Sequence, residues 1–152
     1  MSTFEELPFY RGFSARHDLS SPKLHFTRKD RRARDIKPEI HSSADKWFTT
    51  NFGIAYRSQS VFVTSDLNVA LAYADSPLHV GRIIPVGEYR FCWSKQVRDM
   101  MQLFIGGCAP ENIHKELDGA NYIEGDLEAA HRSGHEVMLF CDTYYSSPIV
   151  IN

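Results

Sequence analysis

Cysteine is scarce: Cys92, Cys108 and Cys141 are odd in number and form no CxxC. That leaves no basis for a disulfide framework or a cysteine zinc site, and reduced thiols in a cytoplasmic setting fit best. Histidine is more plentiful: of His17, His25, His41, His79, His114, His131 and His135, just His131 and His135 stand in HxxxH spacing, with Gly134 between them, and none stands in HxH spacing. They read as surface or structural histidines, and no metal site is expected. No apolar run approaches membrane-spanning length, and the acidic opening MSTFEELPFY lacks a signal-peptide core, so no membrane partner is expected. A charge excess is missing too. With 17 basic and 19 acidic residues the net charge is −2, which gives the whole molecule no strong pull toward nucleic acid. Repeats, low-complexity tracts and linkers are absent, so 1–152 reads as one domain large enough to bury a core.

What is present is a mixture of short strands and helices. LPFYRGF (7–13) reads as an aromatic strand, and the polar stretch from Ser14 to Lys37 as a long loop. That loop carries RKDRRARD (28–35), five basic residues in eight, read either as a solvated face or as a grip on phosphate. KPEIHSSADKWFTTNFG predicts a helix: Pro38 suits the first turn, Ile40, Ala44, Trp47, Phe48 and Phe52 share a face, and Gly53 stops it. A strand at Val61–Val63 follows, then Ser65 or Asp66 capping a short helix LNVALAYA with Leu67, Ala70, Leu71 and Ala74 inward.

HVGRIIPVGEYRFCW (79–93) is strand material broken near Pro85 and Gly87, as in a hairpin. Ser94 is positioned to cap a helix KQVRDMMQLF, with Gly106 and Gly107 as its end. The stretch from Pro110 to Arg132 suggests short helices, Gly134 precedes a strand beginning HEVMLF, and SPIVI closes the chain as a strand. Without a βαβ rhythm the class is α+β with largely antiparallel sheets.

Three strand ends carry polar groups that their neighbours do not explain. Arg11 stands between aromatics and Gly12, Thr64 and Ser65 end an apolar strand, and Glu136 opens the apolar run Val137–Cys141. Each has a plain reading: a surface arginine covering apolar area with its stem, a helix cap, an exposed strand-start carboxylate. Together they offer a phosphate grip, hydroxyls, and a carboxylate able to stabilise a ribosyl cation.

The segments YRG, FVTSD and EVML, in that order, resemble the three signature segments of ADP-ribosyltransferases of the Arg–Ser–Glu class. The resemblance implies split antiparallel sheets with NAD, the substrate, in a cleft between them. It gives Arg11 the NAD phosphate and ribose, Thr64 and Ser65 the support of the glutamate, and Glu136 the nicotinamide ribose. Tyr10, Gly12, Phe62 and Tyr73 join Arg11 as NAD-binding positions; Phe13 and Trp47 read either as further stacking rings or, as aromatics at such positions more often do, as core, and Tyr144 and Tyr145 stand at the rim. The implied activity is cleavage of the nicotinamide–ribose bond and transfer of ADP-ribose to a protein or nucleic acid, as in a toxin, an effector or a phage-encoded modifier. A cognate antitoxin or inhibitor is a further implied partner. An NAD glycohydrolase, or a non-catalytic domain binding NAD-like ligands or nucleic acid, is the alternative.

Two departures stand out. The second segment reads Thr-Ser-Asp where the family has Ser-Thr-Ser, and Gly134 stands where arginine-modifying members carry Glu or Gln, which argues against an arginine acceptor.

Overall fold

Eight strands make two four-stranded sheets, and every pairing is antiparallel in the computed structural model, which describes residues 2–31, 37–103 and 109–149. The first sheet has the order β1 (Tyr10–Gly12), β4 (Val80–Val86), β8 (Thr143–Pro148), β2 (Lys23–Phe26). The second has the order β3 (Val61–Val63), β7 (Val137–Phe140), β5 (Arg90–Ser94), β6 (Tyr122–Glu124). A two-way backbone bridge joins them: Tyr10 N–H donates to Thr64 O at 2.7 Å, and Thr64 N–H donates to Tyr10 O at 3.0 Å. The two sheets therefore meet edge to edge at the segments that carry Arg11 and Thr64.

The second sheet is covered on both faces, which is why β7 is apolar at successive positions. Val137 and Leu139 pack toward the first sheet with Val63, Ile83 and Tyr144. Met138 turns the other way and, with Cys92, meets Ile40, Ala44 and Phe48 of helix α1 (Pro38–Phe52) and Ile113 and Leu117 of α4 (Ile113–Gly119). Each fully enclosed Val, Leu, Ile, Phe or Met side chain among them stabilises the fold by about 1.5–3 kcal/mol relative to exposure.

Local chemistry explains the helix ends. Pro38 occupies the first turn of α1, and Gly53, at φ +79, closes it with its N–H on Thr49 O at 2.9 Å. Asp66, rather than Ser65, caps α3 (Leu67–Tyr73) by accepting from the amides of Asn68 and Val69, and only Ala70 of that helix is fully buried.

Several expectations are corrected. β4 and β5 are not a hairpin; the chain leaves the first sheet after Val86 and enters the second at Arg90. The polar stretch 14–37 contains β2, whose single buried residue, His25, gives no alternation to read. The helix expected at 95–104 is only a 3-10 turn, Met100–Leu103, within the described residues. Ser94 does accept from Gln96 and Val97, but the Arg98 amide goes to Gln102 Oε1 and the Arg98 carbonyl to the Glu136 amide. Those bonds divert the backbone groups a helix would use. The expected stop at Gly106 and Gly107 lies outside the described residues. The last strand begins at Thr143, earlier than SPIVI, with Tyr144 and Ser146 buried on one side. Two short elements, α2 (Tyr56–Gln59) and β6, had no sequence signal; α4 and most of α5 (Leu127–Ser133) lie within the stretch read as short helices.

Candidate active-site cleft

A cleft of about 550 Å³ opens where the two sheets meet, with walls that include Tyr10, Arg11 and Gly12 of β1, Phe62 of β3, Thr64, and Glu136. Glu136 immediately precedes β7, and its amide donates to Arg98 O at 2.7 Å, which fixes its backbone. Its carboxylate is fixed by Arg57 of α2, whose Nη1 donates to Oε1 at 2.9 Å. Among the described residues Arg57 is the only partner of that carboxylate, and the side chains are 8% and 21% exposed for Arg57 and Glu136 respectively. One oxygen is thus held, and the residue lines the cleft. A charge-assisted contact this sheltered is stronger and less screened than a surface pair.

Arg57 is in turn held on several sides. Its guanidinium lies 4.2 Å from the Phe62 ring centroid, Nη1 also meets Met138 Sδ at 3.6 Å, and its amide donates to Asp45 Oδ1 at 2.9 Å. Its Nε is buried without a hydrogen-bond partner among the described residues. No local pattern marks this arginine: α2 is four residues long, and the pairing depends on bringing positions 57 and 136 together.

The hydroxyls act on backbone, not on the carboxylate. Thr64 Oγ1 donates to Gly134 O at 3.0 Å and accepts from the Asp66 amide at 3.0 Å; Ser65 Oγ donates to His131 O at 2.6 Å. Thr64 therefore ties down the turn between α5 and β7 that presents Glu136, whereas Ser65 holds the last turn of α5 and is not part of the cleft wall. The direct support of the carboxylate expected from Thr64 and Ser65 comes from Arg57 instead. Gly134 ends α5 at φ +70, a conformation that a glutamate or glutamine would adopt only under strain.

Other positions need revision. Phe62 lines the cleft, but Arg31 and Arg57 both stack on its ring, at 3.9 and 4.2 Å, so in this arrangement its ring serves cations and not a nicotinamide. Gly12 is where α3 presses on β1: a Cβ there would stand 2.4 Å from Ala70 O and 2.7 Å from Ala74 N, both backbone atoms. Its lack of a side chain is a packing requirement. Trp47 lies outside the cleft, in the helix-side core, donating to Asp118 Oδ1 at 2.8 Å. Tyr144 is a buried cleft residue, whereas Tyr145 is exposed and outside the cleft. Tyr73 lines the cleft and is 69% exposed.

One wall is an aromatic stack. His25 lies between Phe13 and Tyr144, with centroids 5.2 and 4.9 Å away and planes within 24° and 10°, and its Nε2 meets Ser146 Oγ at 2.7 Å. Burial, reinforced by the nearby positive charges of His17, Lys23 and Arg11, pushes its pKa down to about 4. His25 is therefore neutral at pH 7, one structural histidine of the kind the spacing suggested.

The cleft is cationic in a chain that is not. Arg11, Arg16, Arg28, Arg31, Arg57 and Arg98 line it, against Asp75, Asp99 and Glu136. Of RKDRRARD, Arg28 and Arg31 line the cleft, while positions 32–35 lie outside the described residues. Among the described residues no three His, Cys, Asp or Glu side chains gather as metal ligands would, and no helix is long and apolar enough to cross a membrane. Comparisons of the chain with protein-family models, with curated proteins and with solved structures return no match.

Proposed function

We propose that this chain is an NAD-dependent ADP-ribosyltransferase with the split-sheet architecture of that family, cleaving the nicotinamide–ribose bond and transferring ADP-ribose to a macromolecule. The observation that carries the reading is Glu136: a carboxylate just before a buried strand, with one oxygen on Arg57 at 2.9 Å, in the wall of a cleft. A fixed negative charge in a sheltered site stabilises the oxocarbenium-like ribose that forms as nicotinamide departs. Because the arginine already orients the carboxylate, little reorganisation is needed at the moment of reaction. Arg11, on β1 in the same cleft, offers the planar fork suited to the pyrophosphate. Thr64 holds the presenting turn, and Ser65 holds the end of the helix that leads into it.

The experiment is incubation of the purified chain with NAD labelled in the ADP-ribose portion, in the presence of protein and nucleic-acid acceptors. The expected result is nicotinamide release with label on a macromolecule. Release with label only in free ADP-ribose makes the protein a glycohydrolase, and binding without release makes it a non-catalytic NAD-binding domain.

A further inference from the structure

We infer that the mouth of this cleft binds a single-stranded nucleic acid, and, resting on the transferase reading above, that this strand is the acceptor of ADP-ribose. The first support is where the charge lies. The chain as a whole carries two more acidic than basic residues, yet six arginines line the cleft against three carboxylates. Arg57 is taken up by Glu136, and Arg11 belongs to the wall formed by β1. Arg16, Arg28 and Arg98 remain exposed at the surface, contributed by three separate stretches of chain around one opening. A dinucleotide with one pyrophosphate needs few of them. Arg28 pairs with Asp30, but those side chains are 68% and 83% exposed, an arrangement that holds a guanidinium only weakly.

The second support is aromatic. Phe26, also part of the cleft wall, is 76% exposed at the end of the edge strand β2, and Tyr73 is exposed on the same cleft. A phenyl ring left in water does nothing for the fold. Beside guanidinium groups it is a stacking face for an unpaired base, and the forks fit the phosphates between bases. A duplex hides its base faces, and an acidic protein would use the arginines without needing the ring. Together the arginines and the ring favour an unpaired strand.

The test is fluorescence anisotropy, without NAD, on a labelled mixed-sequence strand of about 12 nucleotides, its duplex, and a poly-glutamate peptide. The single strand should bind most tightly, with affinity falling as salt rises at a log–log slope of about −2 for three phosphate contacts. Arg16→Gln, Arg28→Gln and Arg98→Gln should each flatten that slope by about 0.7. Phe26→Ala, at a site too exposed to threaten folding, should weaken binding roughly five-fold or more and leave the slope unchanged. Absence of binding at low salt, equal binding of poly-glutamate, or an unaffected Phe26→Ala variant overturns the inference. Nicotinamide release without strand binding overturns it while leaving the transferase reading standing; strand binding without release does the reverse, leaving a nucleic-acid-binding cleft. Transfer of label from NAD to the bound strand is the result expected if both hold.

Discussion

Two glutamates, one on the second sheet and one just before it, meet an arginine, and they do so in opposite ways. Glu124 of β6 takes the full fork of Arg90, with Nε on Oε2 at 2.9 Å and Nη2 on Oε1 at 2.7 Å, and it also accepts the hydroxyl of Tyr56. Glu136 takes one nitrogen of Arg57 on one oxygen, in a more sheltered place. The same four-residue helix serves both, because Tyr56 and Arg57 are neighbours in α2. The first carboxylate is used up by its partners and ties strands together at the surface. The second is held in position yet left with capacity to spare, facing a cleft. On the proposed reading the closed pair is structural and the singly held carboxylate is the one used in chemistry.

The sharpest way to break this comparison is Glu136→Gln. Glutamine keeps the shape and loses the charge, so nicotinamide release should fall roughly a hundred- to a thousand-fold while NAD binding, followed by calorimetry, stays close to wild type. Equal release rates would place Glu136 with Glu124 as a structural group. Next in size is Arg57→Met. With the carboxylate no longer oriented, the rate should drop by up to about a hundred-fold. The stranded carboxylate should also cost about 1–3 kcal/mol of stability in a denaturant titration. Arg57→Lys, which restores a cation without the fork, should recover part of both. Arg90→Ala is the counter-test: it should cost no more than about 1 kcal/mol and leave nicotinamide release unchanged. A rate loss matching that of Arg57→Met would erase the distinction between the two pairs.

The smallest effect concerns His25. Its folded-state pKa lies near 4, below the ordinary 6.5, so as pH falls through that interval the unfolded chain takes up the proton first. The stability this group confers is fully present above pH 6.5 and is lost as pH approaches 4. His25→Phe keeps the stack between Phe13 and Tyr144 and removes the titration. The melting temperature of wild type should therefore fall relative to the variant across that window; parallel curves would show that burial of the imidazole carries no such penalty.

The local elements that rest on periodic or steric rules were legible from residues alone. Pro38 to Gly53 had to be a helix because its apolar positions recur at helical spacing between a residue suited to the first turn and one that tolerates positive φ. Val137–Phe140 had to be a strand covered on both faces, because apolar side chains alternating across a pleat leave no polar side. Arg11, Thr64 and Glu136 stood out for a related reason: each is a polar group at the end of an apolar strand. Tertiary structure alone decided the rest. Which strands pair, that the chain crosses between sheets after Val86, and that Arg98 gives its carbonyl to Glu136 instead of to a helix all depend on contacts between distant positions. Arg57 is the clearest case. Nothing within several residues of it distinguishes it from the other arginines, and its role exists only because the fold brings it 2.9 Å from a carboxylate 79 positions away. Periodicity reports which side of an element is buried; it carries no information about which two buried groups will meet.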